Sequence, residues 1–453
     1  MSHTSTAQVK QDLLREAEAL IEEMLKWDEA HPGSDFAAQE QLLLQLRQRF
    51  GQHIAEALLE IQEQRTPVDP RCPQCGGALS DKGLKGRWFE SLLGNLSCER
   101  EYYYCPVCRA GYYPLDAQLQ LPALHYSEGV VKELMWLSGQ TLTYGEAVAT
   151  LNRLTDATLS KSSGWRLVQA WGAQLGAEFA AEEAACKAGA REWRTPGAAP
   201  APDTRQGVST DGGMLYILDE GWKEFKVGCV FAVELETRPD PRTQELTEYG
   251  HATQLSYTAH LGDAETLGWQ WWTEAQRRGW QDTADAIVIG DGAPWIWNLR
   301  DMHFPHTEMV VDWYHATEHL GAVKQLLYPE GDGDATRWYN QQEQALYQGH
   351  ADTVATAITD AATQHPEHAE TLQREAGYFL NNQRRMAYQR LREDGWPIGS
   401  GMVESGVKRF KARFDGAGMR WSRQGAENLL PVRAAVLSGY ARFEQLWDRA
   451  RAA

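Results

Sequence analysis

No stretch of this 453-residue chain stays apolar for the roughly eighteen residues that a membrane-spanning helix needs, which excludes helical transport and channel functions. Residues 1–10 are polar and carry no apolar segment, so no secretion signal is expected and the chain reads as cytoplasmic. Positive charge is scarce: 44 Lys and Arg stand against 62 Asp and Glu, a net charge of −18. Such a balance excludes a protein that coats polyanions at large. It leaves room for a DNA enzyme, whose catalytic carboxylates add negative charge while a local basic patch does the binding. Cysteine is also sparse. Of the seven, four fall in two Cys-Pro-x-Cys pairs, which in a chain without a secretion signal point to metal rather than to disulfides. No internal repeat is visible. What remains, 43% apolar and 23% charged, is the composition of a globular protein with room for two to four domains.

The first part is helical and acidic. Leu13, Leu14, Ala17, Leu20, Ile21, Met24 and Leu25 recur at helical spacing, and so do Leu42, Leu43, Leu46, Phe50, Ile54, Leu58, Leu59 and Ile61. With His31-Pro-Gly-Ser34 as the turn, they make a hairpin suited to packing or self-association. Cys72, Cys75, Cys105 and Cys108 follow. Each pair can form a tight knuckle, and two knuckles supply the four thiolates of a closed, structural Zn²⁺ site. The 29 residues between the pairs read as a β-hairpin that brings the knuckles together, with Cys98 as a core thiol. Neither pair opens a helix after a strand, which argues against redox chemistry. Residues 121–175 read as three short helices capped at Ser127, Thr143 and Ser160, a helix-turn-helix pattern in which Lys161 would meet DNA. Three helices packed without DNA are the alternative. A Pro/Ala run from Arg194 to Asp203 marks a linker.

Beyond it the pattern turns to strands, in the order three strands, a helix, strand, helix, strand, which is that of a ribonuclease H-like α/β sheet. Val208-Ser-Thr-Asp211-Gly212 and Val288-Ile-Gly-Asp291-Gly292 each read as a strand ending on a carboxylate beside glycine. The third acid, Glu404, opens a basic helix after Gly399-Ser-Gly401. The 404–424 run sets six basic residues against two acids, net +4, and Lys408, Arg409, Lys411, Arg413 and Arg420 are expected on DNA phosphates. Cutting and joining DNA requires a deprotonated nucleophile and a neutralised leaving oxygen. Two Mg²⁺ (or Mn²⁺) ions roughly 4 Å apart meet both needs and take about three carboxylates as hard ligands. Asp211, Asp291 and Glu404 are the expected catalytic and Mg²⁺-ligating set. A lone Asp-Gly is ordinarily a turn, but three acids in this order are hard to explain as turns. Residues 316–391 are helical and separate the last strand from Glu404.

The chain resembles a bacterial insertion-sequence transposase of the ISKra type, in the broad Mutator-like group. The residues that carry the resemblance are the two Cys-Pro-x-Cys knuckles, Gly111-Tyr-Tyr-Pro-Leu-Asp116, Thr210-Asp211-Gly212, Gly290-Asp291-Gly292-Ala293, Asp312-Trp-Tyr-His315, Gly399-Ser-Gly-Met-Val-Glu404 and Gly418-Met-Arg-Trp-Ser422. The resemblance implies that the two Asp and the Glu are catalytic, and that the Asp312-x-x-His315 step supports the site where a helical insertion begins. It also implies that the N-terminal region recognises terminal inverted repeats, and that the core excises and reinserts the element, as a homo-oligomer on DNA. The expected fold class is therefore α/β, a ribonuclease H-like catalytic core carrying an all-helical insertion. Its parts are a helical hairpin (1–66), a zinc ribbon (67–120), a helix-turn-helix-like DNA-binding domain (121–190), a linker (191–205), the first part of the core (206–315), the insertion (316–395) and the second part of the core (396–453).

Two rivals use the same residues. His315-Ala-Thr-Glu318-His319 fits the His-x-x-Glu-His zinc pattern of inverted zinc peptidases, but that reading leaves Asp211 and Asp291 without a role. A non-catalytic regulator would need only the zinc ribbon and the helix-turn-helix, and does not account for the three acids. Trp269, Trp271, Trp272, Trp280, Trp295 and Trp297 are expected in the core, with one of them able to stack on a flipped base.

Overall fold

The computed structural model describes residues 6–67, 69–121, 125–140, 143–189, 204–240, 242, 244–283, 285–329, 331–416 and 418–452. The Pro/Ala linker expected at 191–205 lies outside them, except for its last two residues. The chain divides into two compact units, Met1–Val168 and Gln169–Ala453. No described helix is long and apolar enough to cross a membrane.

In the first unit, helices α1 (Thr6–Ala30) and α2 (Phe36–Glu63) form the hairpin, and Asp35 caps α2 by accepting the Ala38 amide. Leu20, Leu42 and Leu46 form its seam. Strands β1 (Ser80–Ser91), β2 (Gly94–Cys105) and β3 (Ala110–Tyr112) make an antiparallel sheet in the order β1-β2-β3. Leu59 of α2 packs on Phe89 and Leu96 of that sheet. After the short α3 (Pro114–Gln118) come α4 (Glu128–Gln140), α5 (Tyr144–Leu154) and α6 (Lys161–Lys187). Ser127, Thr143 and Ser160 accept amides at the starts of α4, α5 and α6, as their side chains dictate. Gly164 of α6 faces Val148 and Leu134 so closely that a Cβ would meet Val148 at 2.4 Å. The division between the units falls inside α6.

The second unit is an α/β structure around a mixed five-stranded sheet. Strands β4 (Arg205–Ile217), β5 (Gly221–Pro239) and β6 (Leu246–Leu261) run antiparallel, α7 (Ala264–Arg277) follows, and β7 (Asp285–Gly290), α8 (Pro294–His303) and β8 (Glu308–Val311) complete it. The strand order is β6-β5-β4-β7-β8, with β7 and β8 parallel to β4. The apolar runs at Phe225–Val233 and Ile287–Ile289 are buried because helices cover both faces. Trp271 of α7 covers one, close to Gly228 and donating its indole N–H to the Cys229 carbonyl at 3.0 Å. The other is covered by α14 (Gly401–Phe414), whose Val407 meets Gly213 and whose Gly406 meets Tyr257.

Between the last strand and α14 lies a helical block: α9 (Trp313–Leu327), α10 (Gly333–Tyr347), α11 (Ala351–Gln364), α12 (Ala369–Asn382) and α13 (Tyr388–Glu393). Then come α14 (Gly401–Phe414), α15 (Arg423–Leu437) and α16 (Tyr440–Ala452). The stretch from Ala426 to Arg449 forms two helices, α15 and α16, parted at Gly439, which takes φ +102°. Asp211, read as ending a strand, lies inside β4, which continues through Leu215 and Ile217 as a hairpin with β5.

Candidate functional site

Two constellations carry chemistry, one in each unit. In the first, the Cys72 amide donates to the Gly77 carbonyl at 2.9 Å and the Gly76 amide to the Cys72 carbonyl at 2.8 Å, closing a knuckle that needs the positive φ of Gly76. The second knuckle forms where β2 ends: the Cys108 amide donates to Cys105 Sγ at 3.4 Å. Pairing of Ser80 with Tyr104 brings the two together. Sγ of Cys72 lies 3.8 Å from that of Cys108, and Sγ of Cys75 lies 3.7 Å from that of Cys105. A tetrahedron of sulfurs at the ordinary Zn–S length of about 2.3 Å has an edge of about 3.8 Å. The spacing therefore fits a Zn²⁺ ion and is far too long for disulfides. Amides of Cys75 and Gln74 lower the Cys72 pKa to about 7, favouring the thiolate that a metal takes. Cys98 is a half-buried thiol opposite Arg87 in the β1–β2 ladder, outside the cluster.

In the second unit the register of the sheet arranges acids. Ser209 pairs with Ile289, and Ile289 with Val310. Two residues further along each chain stand Asp211 within β4, Asp291 one residue past the end of β7 and Asp312 one residue past the end of β8, neighbouring strands being about 4.8 Å apart. β7 stops at Gly290, so Asp211 loses its partner on that side while β5 still pairs it on the other. Its side chain projects on the same face as Gly213, the face that α14 covers through Val407. Glu404 sits one turn before Val407 on that helix and so looks back toward Asp211.

The electrostatics agree with this proximity. Burial raises the Asp211 pKa, the charges of Asp291 and Glu404 raise it further, and the Gly212 amide and His315 oppose them. Half-buried acids that repel one another are a donor set that a hard cation would stabilise. The grouping is looser than that of the cysteines, which are the described residues that place three or more ligand atoms within 4.8 Å of one another. Glu404 accepts an ion pair from Lys408 at 2.6 Å. Asp291 Oδ1 accepts the Ala293 amide at 2.7 Å, which starts α8.

Asp312 and His315 lie behind these acids. Asp312 is fully buried and caps α9. Its Oδ2 is 2.6 Å from His315 Nδ1, and its Oδ1 accepts the Ser400 amide at 2.8 Å. The Trp313 amide also donates to the Ile398 carbonyl at 2.9 Å. Residues 398–400 are thus pinned to the end of β8, and Glu404 is delivered to the sheet a turn later. Burial works to raise the Asp312 pKa, but the bonds from His315 and the Ser400 amide hold it below the ordinary value. The Asp312 bond lifts His315 to about 9, so the ring is an imidazolium at neutral pH.

The other candidates divide. Lys408, Arg409 and Arg420 are exposed on α14 and the turn after it, Lys411 is half-buried, and Lys161 is exposed at the start of α6 in the first unit. Arg413 is a correction: it is 1% exposed, with its guanidinium over the Trp421 ring, and so cannot reach a phosphate. Buried Arg433 of α15, which no local pattern marks out, donates to the Arg409 carbonyl of α14 at 2.6 Å. The histidines of the His-x-x-Glu-His stretch go to separate carboxylates, His315 to Asp312 and His319 to Glu375 at 2.6 Å. Trp271, Trp280 and Trp297 are core, while Trp295 is half-buried with Lys226 over its ring.

A family model described as Uncharacterised protein family (UPF0236) matches residues 254–451, somewhat under half of the chain. The matched span includes Asp291, Asp312, His315 and Glu404 and leaves out Asp211. No curated protein matches the chain.

Proposed function

We propose that this chain is a DNA transposase of the ISKra type that cuts and joins DNA at Asp211, Asp291 and Glu404 with the help of Mg²⁺ or Mn²⁺. The observation that carries the reading is that the register of the sheet places Asp211 in β4 beside Asp291 just past β7, with the charges of Asp291 and Glu404 acting on Asp211. The sheet order β6-β5-β4-β7-β8, antiparallel on one side and parallel on the other, is that of a ribonuclease H-like core and supports it. On this reading the cations, when bound, activate the attacking oxygen and stabilise the leaving one. The protein supplies the rest. Asp211 would offer a carboxylate from within β4 and Asp291 one from the turn that follows β7, and Glu404 would close the set. Lys408 pairs with Glu404; if Glu404 held a cation instead, the Lys408 ammonium would be free to meet a phosphate. The His315 imidazolium, fixed by Asp312, adds positive charge near the acids where a phosphate would accumulate negative charge.

The exposed cations Lys408, Arg409 and Arg420, with half-buried Lys411 beside them, would track the DNA backbone. We read the four-cysteine sheet as a zinc ribbon and α4 to α6 as a helix-turn-helix-like module that reads element ends, with Lys161 at its DNA face. Target DNA and a second copy of the chain would complete the assembly, in the cytoplasm. The test is Asp291→Asn, assayed on a supercoiled plasmid carrying the coding segment with its flanking DNA, in Mn²⁺. The variant should bind DNA and release no cut ends. Wild-type cutting by the variant, or wild-type protein that never cuts, refutes the reading.

A further inference from the structure

We propose that Tyr378 is a positioning residue for Asp291, and that the Glu375–His319 pair serves to hold Tyr378 in place. The inference rests on the reading of Asp291 as a metal ligand. After β7 the chain reverses at Gly292, φ +102°, and the Asp291 carbonyl is left beyond the last bond of the β7–β8 ladder. The Tyr378 hydroxyl, reaching from α12, donates to that carbonyl at 3.0 Å. The fit is close: a Cβ on Gly292 would lie 2.9 Å from Tyr378 Cε2. The tyrosine is fixed from its other face. His319 of α9 stacks on it, with ring centroids 3.7 Å apart and planes at 20°, and His319 Nδ1 is 2.6 Å from Glu375 Oε2.

The same device recurs one strand over. The buried Tyr388 hydroxyl donates to the Val311 carbonyl at 2.9 Å, immediately before Asp312. Each tyrosine thus takes a carbonyl at the carboxyl end of a strand, where Asp291 or Asp312 stands, and each comes from the helical block. A carbonyl there with no partner would let the turn relax, because an unmet backbone acceptor is costly. The His-x-x-Glu-His stretch then has a role without a metal. Its first histidine holds Asp312, and its second holds the ring that holds Asp291. The block between β8 and α14 is accordingly a brace for the acids as well as a spacer.

The test compares Mn²⁺ binding by calorimetry in the full chain, alongside Mn²⁺-dependent cutting. Tyr378→Phe keeps the ring and its stack and removes only the hydroxyl. It should weaken Mn²⁺ binding about 3- to 10-fold, the range of one hydrogen bond, with zinc content and DNA binding unchanged. The cutting lost at low Mn²⁺ should return at high Mn²⁺, which a merely structural defect would not show. His319→Phe, which keeps a ring but loses Glu375, should shift binding the same way by a smaller factor. Asp291→Asn should abolish the signal. Unchanged Mn²⁺ affinity in both ring variants beside a null Asp291→Asn overturns the brace alone. Absence of Mn²⁺ binding in the wild type, or wild-type binding by Asp291→Asn, overturns the metal-site reading and the brace with it.

Discussion

Replacing Cys72 by serine should remove the four-thiolate site of the first unit and destabilise the sheet that carries it while leaving the second unit intact. The cluster of buried side chains between α2 and the cysteine-bearing sheet is small: Leu59, Phe89 and Leu96 form it. At about 1.5–3 kcal/mol for each fully buried side chain, three such residues contribute roughly 5–9 kcal/mol as an upper estimate. A structural four-thiolate zinc site contributes about 10–16 kcal/mol in small domains, so an ion held by these sulfurs would rival or exceed the cluster beside it. The sulfur spacings of 3.7 and 3.8 Å already match a tetrahedron around Zn²⁺, so binding asks for little rearrangement. Disulfides would require each pair to close by about 1.7 Å, to about 2.05 Å. Metal analysis of purified protein should give one Zn²⁺ per chain, lost in Cys72→Ser and kept in Cys98→Ser, whose thiol is outside the cluster. Thermal unfolding should show the first-unit transition falling with chelator and the other unmoved. A zinc-free wild type that is fully folded, or mass spectrometry showing the four thiols oxidised, would refute the reasoning.

Three further outcomes follow from particular contacts. Gly406→Ala places a Cβ 2.6 Å from Tyr257 Cε1. Because α14 must then retreat, we expect a loss of about 1–3 kcal/mol in chemical denaturation and slower cutting, since Glu404 rides on the same helix; unchanged stability would contradict the packing. Burial and the Lys187 charge depress His303 to about 4. The unfolded chain therefore takes up this proton first, and the His303 contribution is complete above about pH 6.5 and lost as pH falls toward 4, by at most roughly 3 kcal/mol. Between pH 7 and 4.5 the wild type should lose more stability than His303→Gln, and equal losses count against it. Arg420→Gln should flatten the salt dependence of DNA binding by nearly one unit of slope, whereas Arg413→Gln should cost stability and leave the slope alone, the guanidinium being buried on Trp421.

What could be read from the sequence was local and periodic. The strands around Val208 and Ile287–Ile289 are continuous apolar runs, and their order determined that the second unit would be α/β. The knuckles were legible because four sulfurs at two short spacings have few other uses. Reading failed where the deciding contact was distant. Asp211 looked terminal because glycines follow it, yet they admit Glu224 and Phe225 of β5 at close range and the hairpin runs on. Arg413 looked like its basic neighbours because charge carries no sign of direction; three residues from Phe410 on α14, it shares that residue's buried face. Tyr378 had no signal at all, since a hydroxyl that meets a carbonyl 87 residues away leaves no period in the chain.

The return of Glu404 is the instructive case. From the sequence it must cross a helical block to meet an acid 113 residues earlier, and nothing local guarantees that. Loop-closure entropy grows only slowly with length, so a long insertion is tolerable if its ends are tied. The structure ties them with two bonds at one place, Trp313 amide to Ile398 carbonyl and Ser400 amide to Asp312 Oδ1. Gly399 fits there with little room to spare, a Cβ falling 3.3 Å from Tyr314. The block therefore begins and ends at Asp312, and its length is free to vary without moving Glu404. Asp312 matters less as one more carboxylate near the site than as the clasp that makes an insertion of this size compatible with the acid pair and the helix beyond it.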